Sequence, residues 1–321
     1  MLVASRKFCV VRQSWPARGD REGDIGNGDC EVMDFVQQLI NGLTIGSIYA
    51  LVAIGFSIVY GALGLVNWAH GDVLMAGTFV TFGLSLMGVP IWAACLIGIG
   101  GGALLNVVVE EVAVRPVLKA NLLIPMMTTL GAGLIIRNLV ELKYGSGTQS
   151  FPSFAGSGYY EILGIQLAKS AVITLVVAGV SLIIFALFLN YTKPGFAIRA
   201  VAQDTVAARL VGIPVTRTIA MVYLAGGALG VVGGLLFANA LGIVYLGMGF
   251  PLLLKGFAAA IVGGIGNLQG AAIGGIVIGL MEAVLGPQVG SYRDAIAFGL
   301  LIVFLLLRPA GLLGSRVQER V

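Results

Sequence analysis

From position 34 onward, apolar runs alternate with short polar links. The runs fall at about 35–60, 63–88, 91–112, 122–141, 170–190, 218–243, 253–285 and 292–308. At 1.5 Å per residue, roughly twenty apolar residues cross the hydrocarbon core of a bilayer. The pattern therefore predicts an all-α integral membrane protein with about eight transmembrane segments. Glycine-rich stretches interrupt two of the runs: GALGLVNWAHGDVLMAG at 61–77 and VGGIGNLQGAAIGG at 262–275. The run 253–285 is too long for one straight span and reads as a broken helix or a tight pair. Unwound backbone in a membrane needs protein or water around it, so such breaks line cavities. Interruptions in both halves of a chain point to a transporter's path. The competing reading is that the glycines only let helices pack closely.

Composition supports the membrane assignment. Hydrophobic residues make up 58% of the 321 residues, charged residues 11%, and there are 48 glycines. A soluble domain is nearer a quarter charged. The position of the charges says more than their net value. Basic residues in short loops mark the cytoplasmic side. Arg115 and Lys119 follow the third run, Lys193, Arg199, Arg209 and Arg217 lie in the loop 192–217, and Arg308, Arg316 and Arg320 lie at the end. All three are expected inside, with the Gly-, Ser- and aromatic-rich loop 142–169 outside. The side of residue 34 depends on whether 61–88 crosses or is re-entrant. Residues 1–32, with five basic and five acidic side chains, read as a disordered leader or as an over-extended start ahead of Met33. Residues 33–312 form the membrane domain and 313–321 a cytoplasmic tail.

Three polar groups stand out in the first interruption: Asn67, His70 and Asp72, with Gly71 between the last two. An ionisable group at membrane depth marks a functional-site candidate. His70 and Asp72 are two apart and would not face each other on a helix, which argues against a catalytic dyad. Asp72 also suits a helix N-cap before Val73. Gly264, Gly266 and Asn267 are the matching candidates in the second interruption. Glu110, Glu111, Arg137 and Glu282 lie near span ends, where long side chains reach the interface. Cys9, Cys30 and Cys95 have no metal spacing, and a single histidine makes no metal site, so no metal is expected.

The loop 192–217 holds the one long basic stretch that also forms helix. IRAVAQDTVAARLVG ends in a glycine with Pro214 just beyond, which predicts a helix over 198–213. Its partial apolar stripe suits either lipid or a groove on a partner. Its small alanines favour docking on protein.

LINGLTIGSIYALVAIGFSIVYGALGLVNWAHGD, RAVAQDTVAARLVGIPVTR and LKGFAAAIVGGIGNLQGAAIGG resemble the signature stretches of the LivH-type permeases of bacterial branched-chain amino acid ABC transporters. The likeness runs from about Met33 to Pro309. It implies a sister permease (LivM-type), two cytoplasmic ATPase subunits and a periplasmic amino-acid-binding protein as partners, and a multi-pass protein of the inner membrane. It implies that Arg199, Ala200, Asp204, Ala208, Arg209 and Gly212 form the element seated on an ATPase. It also places NWAHGD near the translocation path. No cofactor is expected on this chain: it has no phosphate-cradling G-x-x-x-x-G-K-[ST] sequence, so ATP and Mg belong to the partner subunits. Nucleic acid is not an expected partner. The same architecture serves urea and short-chain amides, which is the nearest alternative. An ion-driven carrier would need mid-span ionisable groups, and these are scarce. A membrane enzyme would need a nucleophile–base pair at depth.

Overall fold

The computed structural model describes residues 27–118, 120–154, 156, 158–162, 165–308 and 311–313. Among them are eleven α-helices: α1 (Asn27–Leu63), α2 (Ala69–Leu86), α3 (Ile91–Val109), α4 (Leu123–Tyr144), α5 (Lys169–Tyr191), α6 (Lys193–Gln203), α7 (Thr205–Leu210), α8 (Val215–Leu241), α9 (Gly249–Gly263), α10 (Leu268–Val289) and α11 (Arg293–Leu307). A π turn (Glu110–Val114) and a 3-10 turn (Arg115–Val117) extend α3.

Six of these helices are long and apolar enough to cross a membrane, fewer than the eight runs in the sequence. Two runs account for the difference. The run 63–88 holds the 18-residue α2, which starts only at Ala69 after a non-helical link. The run 292–308 yields a short helix whose apolar part is Ala297–Leu307. The run 253–285 is a broken pair as expected, with α9 ending at Gly263 and α10 starting at Leu268. α1 begins at Asn27, six residues before Met33, so that boundary is not an element boundary. The earlier residues, with Cys9, and the tail 314–321 lie outside the described residues.

α1 is the central post. Its most apolar window is 89% buried, against 22% for α4 and for α5. α10, α8, α9 and α5 pack around it. Glycines allow the close approach. A Cβ on Gly55 would lie 2.8 Å from the carbonyl oxygen of Gly226, and one on Gly226 would lie 2.7 Å from that of Gly55. Without a hydrophobic driving force between helices in lipid, such backbone-to-backbone packing is what holds them together.

Facing residues define the two ends. Gly42 lies against Ala283 and Gly46 against Ile276, so α10 runs opposite to α1; Gly55 against Gly226 and Val52 against Gly233 do the same for α8. Two short strands, β1 (Gln149–Ser150) and β4 (Ile243–Val244), pair Gln149 with Val244 and Ser150 with Ile243. The loops after α4 and α8 therefore share an end, together with a hairpin of β2 (Tyr159–Ile162) and β3 (Ile165–Ala168). Phe35 lies at this end. Arg115, the link 192–214, the turn 264–267 and Arg308 lie at the other. The basic links thus gather at one end, the end expected in the cytoplasm. The start of α1 lies at the opposite end.

Candidate functional site

The first interruption begins where α1 stops. Gly64 takes φ +68, and its N–H donates to the carbonyl of Tyr60 at 2.7 Å. The chain then turns back, and α2 starts on residues that are already buried: Asn67, Ala69, His70, Gly71 and Asp72. The Asn67 carboxamide oxygen accepts from the Ala69 N–H at 3.1 Å. Its Nδ2 donates to Asn106 Oδ1 at 3.3 Å, and Asn106 Nδ2 donates to the Tyr223 carbonyl at 2.7 Å. One polar chain therefore ties the start of α2 to α3 and α8.

His70 sits in the notch between two glycines. A Cβ on Gly230 would lie 2.8 Å from Nε2, and one on Gly55 3.3 Å from it. The ring is 1% exposed, and neither nitrogen has a hydrogen-bond partner among the described residues. Gly71 meets the first residue of α9: its Cβ would lie 2.7 Å from the carbonyl oxygen of Gly249. Trp68 stacks on Phe250 at 6.2 Å between centroids.

Asp72 is not the N-cap that its place before Val73 predicts. α2 already begins at Ala69 and has no side-chain cap. Asp72 instead accepts from Arg137 of α4, at 2.9 Å from Nε and 2.8 Å from Nη2 to the same oxygen. Arg137 thus turns to a carboxylate rather than to the interface.

The second interruption is a tight turn at the end where the basic links gather. Gly264 has φ +110 and Gly266 φ +82, a region that favours glycine. Asn267 caps α10 by accepting from Gly270 N–H at 3.1 Å, and its Nδ2 donates to the Leu313 carbonyl at 2.8 Å. The Gly266 N–H donates to Ser57 Oγ at 3.2 Å. A Cβ on Gly61 would lie 3.7 Å from Gly266 Cα. The end of α1 therefore touches the second break. The Asn67–His70–Asp72 group does not join it: its neighbours are Gly55 in α1 and residues of α3, α4, α8 and α9.

The basic segment after α5 is two helices, not one over 198–213. Thr192 caps α6, accepting from Gly195 N–H at 3.1 Å. α6 ends at Asp204, which has extended backbone and caps α7 by accepting from the N–H groups of Val206 and Ala207 at 2.8 and 2.9 Å. A short side chain that satisfies orphan N–H groups makes a good start signal. Here it outweighs helix propensity and breaks the run. Gly195, Ile198, Val201 and Ala208 are buried; Arg209 and Gly212 are exposed and Ala200 half-buried. Arg199 folds back, donating to Asn190 Oδ1 at 2.7 Å. Val206, Leu210 and Val211 face outward.

One cluster was not singled out from the sequence. Lys255 of α9 lies 2.9 Å from both Glu282 of α10 and Asp294 of α11. It donates to Tyr49 Oη of α1 at 3.1 Å, and Tyr49 donates to Glu282 at 2.9 Å. The signal was a lone lysine inside PLLLKGFAAA. Glu282, read as an interfacial side chain, is a buried partner in it.

The family described as the permease component of branched-chain amino acid transport systems matches residues 38–305. The chain belongs to that family. The permease is 36% identical over 301 residues to the high-affinity branched-chain amino acid transport system permease protein LivH of Escherichia coli K12, covering 89% of this chain and 98% of that one. It is 35% identical over 308 residues to BraD of Pseudomonas aeruginosa, covering 91% and 99%. The probable LivH of Methanocaldococcus jannaschii is 27% identical over 300 residues, covering 87% and 92%.

Proposed function

We propose that the chain is the translocating permease subunit of an ATP-driven importer for branched-chain amino acids in the bacterial inner membrane. It works with a LivM-type sister permease, two ATPase subunits that hold ATP and Mg, and a periplasmic binding protein. The observation that carries this reading, beside family membership, is the outward-facing α6–α7 pair at the basic end. Its exposed Val206, Arg209, Leu210 and Val211 offer a partner an apolar and cationic knob. Its buried side packs on α5, α8 and the central α1.

A push on α7 is therefore delivered to the helices that enclose His70 and Asn67. Asp204 breaks the segment and starts α7 as a separate helix with its own exposed face. Asn67, His70, Gly71 and Asp72 are the path candidates at depth. Gly264, Gly266 and Asn267 form the cytoplasmic rim. A path of this kind binds weakly, because a delivered solute must also leave, and selectivity rests on the binding protein.

The test is uptake of labelled leucine into proteoliposomes holding the whole complex. ATP-dependent uptake is expected. Uptake without ATP, or a purified chain that never retains an ATPase subunit, overturns the reading. Arg209→Glu with Leu210→Glu is expected to release the ATPase subunit while membrane insertion persists. A complex retained after that change argues against the coupling role.

A further inference from the structure

No motif in the sequence marks Asn106, a single polar residue in the run ALLNVVV of α3. It is fully buried and joins two other elements. Its Oδ1 accepts from Asn67 Nδ2 at 3.3 Å, and its Nδ2 donates to the Tyr223 carbonyl of α8 at 2.7 Å. Asn67 Oδ1 in turn accepts from the Ala69 N–H at 3.1 Å. This chain of bonds has one direction. It starts at a main-chain N–H, which can only donate, and ends at a main-chain carbonyl, which can only accept. Both carboxamides are therefore fixed in orientation: turning either one over would set donor against donor and acceptor against acceptor.

α8 is shaped to admit this amide. A Cβ on Gly227 would lie 2.7 Å from Asn106 Cβ and 3.2 Å from its Nδ2, so only glycine fits there. In a helix the Tyr223 carbonyl also accepts from the N–H four residues on, that of Gly227. The extra donor thus falls on a turn that holds the pair Gly226–Gly227, and helices bend at small-residue pairs and where a side chain reaches into their bonds. Tyr223 lies eight residues after Val215, where α8 starts, and α7 ends at Leu210 just before that start. Among the described residues, Asn106 is the one hydrogen-bonded link between α8 and the first break, because His70 meets Gly230 without a hydrogen bond. Tyr223 Oη and both nitrogens of His70 are buried and have no partner among the described residues. A shift of α8 therefore has polar groups to satisfy as well as bonds to break.

The geometry points to Asn106 as a positioning residue for transport: it holds Asn67 in the orientation that fixes the first turn of α2, and it releases Asn67 when α8 moves. Its effect on the solute runs through Asn67. A carboxamide is planar and rigid, so when Nδ2 of Asn106 follows the Tyr223 carbonyl, its Oδ1 swings as well. Asn67 then loses its acceptor, and the Ala69 N–H loses the oxygen that orients it. The link converts movement at the α7 end of α8 into a loosening of residues 66–72, where the path candidates lie. The source of the movement rests on the importer reading; the hold of Asn106 on Asn67 does not.

The experiment uses the full complex, as wild type, Asn106→Leu, Asn67→Ala and the double variant. Leucine keeps the volume of Asn106 and removes both hydrogen bonds. Hydrogen exchange of the segment 66–72, read by mass spectrometry, is expected to be several-fold faster in Asn106→Leu than in wild type without nucleotide. In wild type, ATP with vanadate should speed it to a similar degree; in Asn106→Leu it should add little. Leucine uptake should fall about fivefold while ATP hydrolysis stays nearly unchanged, so that more ATP is hydrolysed per leucine. A residue that only packs would lower both together through loss of assembled complex. The double variant should be no worse than the more severe single, because both cut one chain of bonds. If Asn106→Leu does not assemble, Asn106→Ser replaces it with the same expectations, since its hydroxyl is too short to reach both partners. Unchanged exchange at 66–72 in the assembled variant, hydrolysis and uptake that fall together, or losses that multiply in the double variant overturn the role of Asn106. Wild-type exchange that ignores ATP while uptake stays ATP-driven overturns the release step. ATP-independent uptake would instead sink the importer reading, and the hold of Asn106 on Asn67 would stand or fall on the exchange difference without nucleotide.

Discussion

His70 is the residue where the fold accepts a cost. A buried polar atom without a partner is unfavourable by about 1–3 kcal/mol, and both nitrogens of this ring lack one among the described residues. His70→Leu is therefore expected to leave the melting temperature of the purified complex unchanged or raised, while ATP-driven uptake falls several-fold. A variant that melts lower and transports normally would make His70 a packing residue only. Asp72 shows what a sequence hides. Its polarity in an apolar run was visible, and so was its fitness as a cap. Its partner stands 65 residues away, and nothing local announces it. Lys255 behaves alike, since three other helices supply Tyr49, Glu282 and Asp294. Lys255→Met should strand Glu282 and lower stability by about 3–5 kcal/mol. Adding Glu282→Met should recover most of it, read by thermal unfolding of the complex.

Elements were legible where periodicity or composition carries them. The long spans α1, α3, α4, α5 and α8 follow from their apolar runs, and the break between α9 and α10 follows from GGIGN. The start of α2 was less legible, because the apolar run continues through 63–88 although the helix begins only at Ala69. The split between α6 and α7 was also missed. IRAVAQDTVAARLVG has helix-forming residues throughout, and the capping power of Asp204 shows only once the chain has turned. Asp204→Ala should remove a cap worth about 1 kcal/mol and fray α7. The expected result is several-fold weaker retention of the ATPase subunit with insertion intact, measured by co-purification. Gly249 and Gly71 set the crossing of α9 over α2. Gly249→Val places a branched side chain against the Gly71 backbone, and no assembled complex should survive detergent extraction.

At the scale of the molecule, the basic links and the antiparallel pairings agree on two ends. A thiol at Leu210, 83% exposed, should react from the cytoplasmic side only, and one at Tyr159, 52% exposed, from the outside only. Labelling of right-side-out and inverted vesicles checks both, and the reverse pattern would invert every orientation argued above.

The short segment 311–313 has a consequence for biogenesis. Its Leu312 and Leu313 N–H groups donate to the carbonyls of Val262 and Gly263 at 2.8 and 3.0 Å, and the Leu313 carbonyl receives Asn267. The last turn of α9 is thus closed by residues the ribosome adds about fifty positions later. Until those residues leave the exit tunnel, the hairpin waits in the insertion machinery with its tip unfastened, so quality control has a window to act on nascent chains truncated short of that clasp.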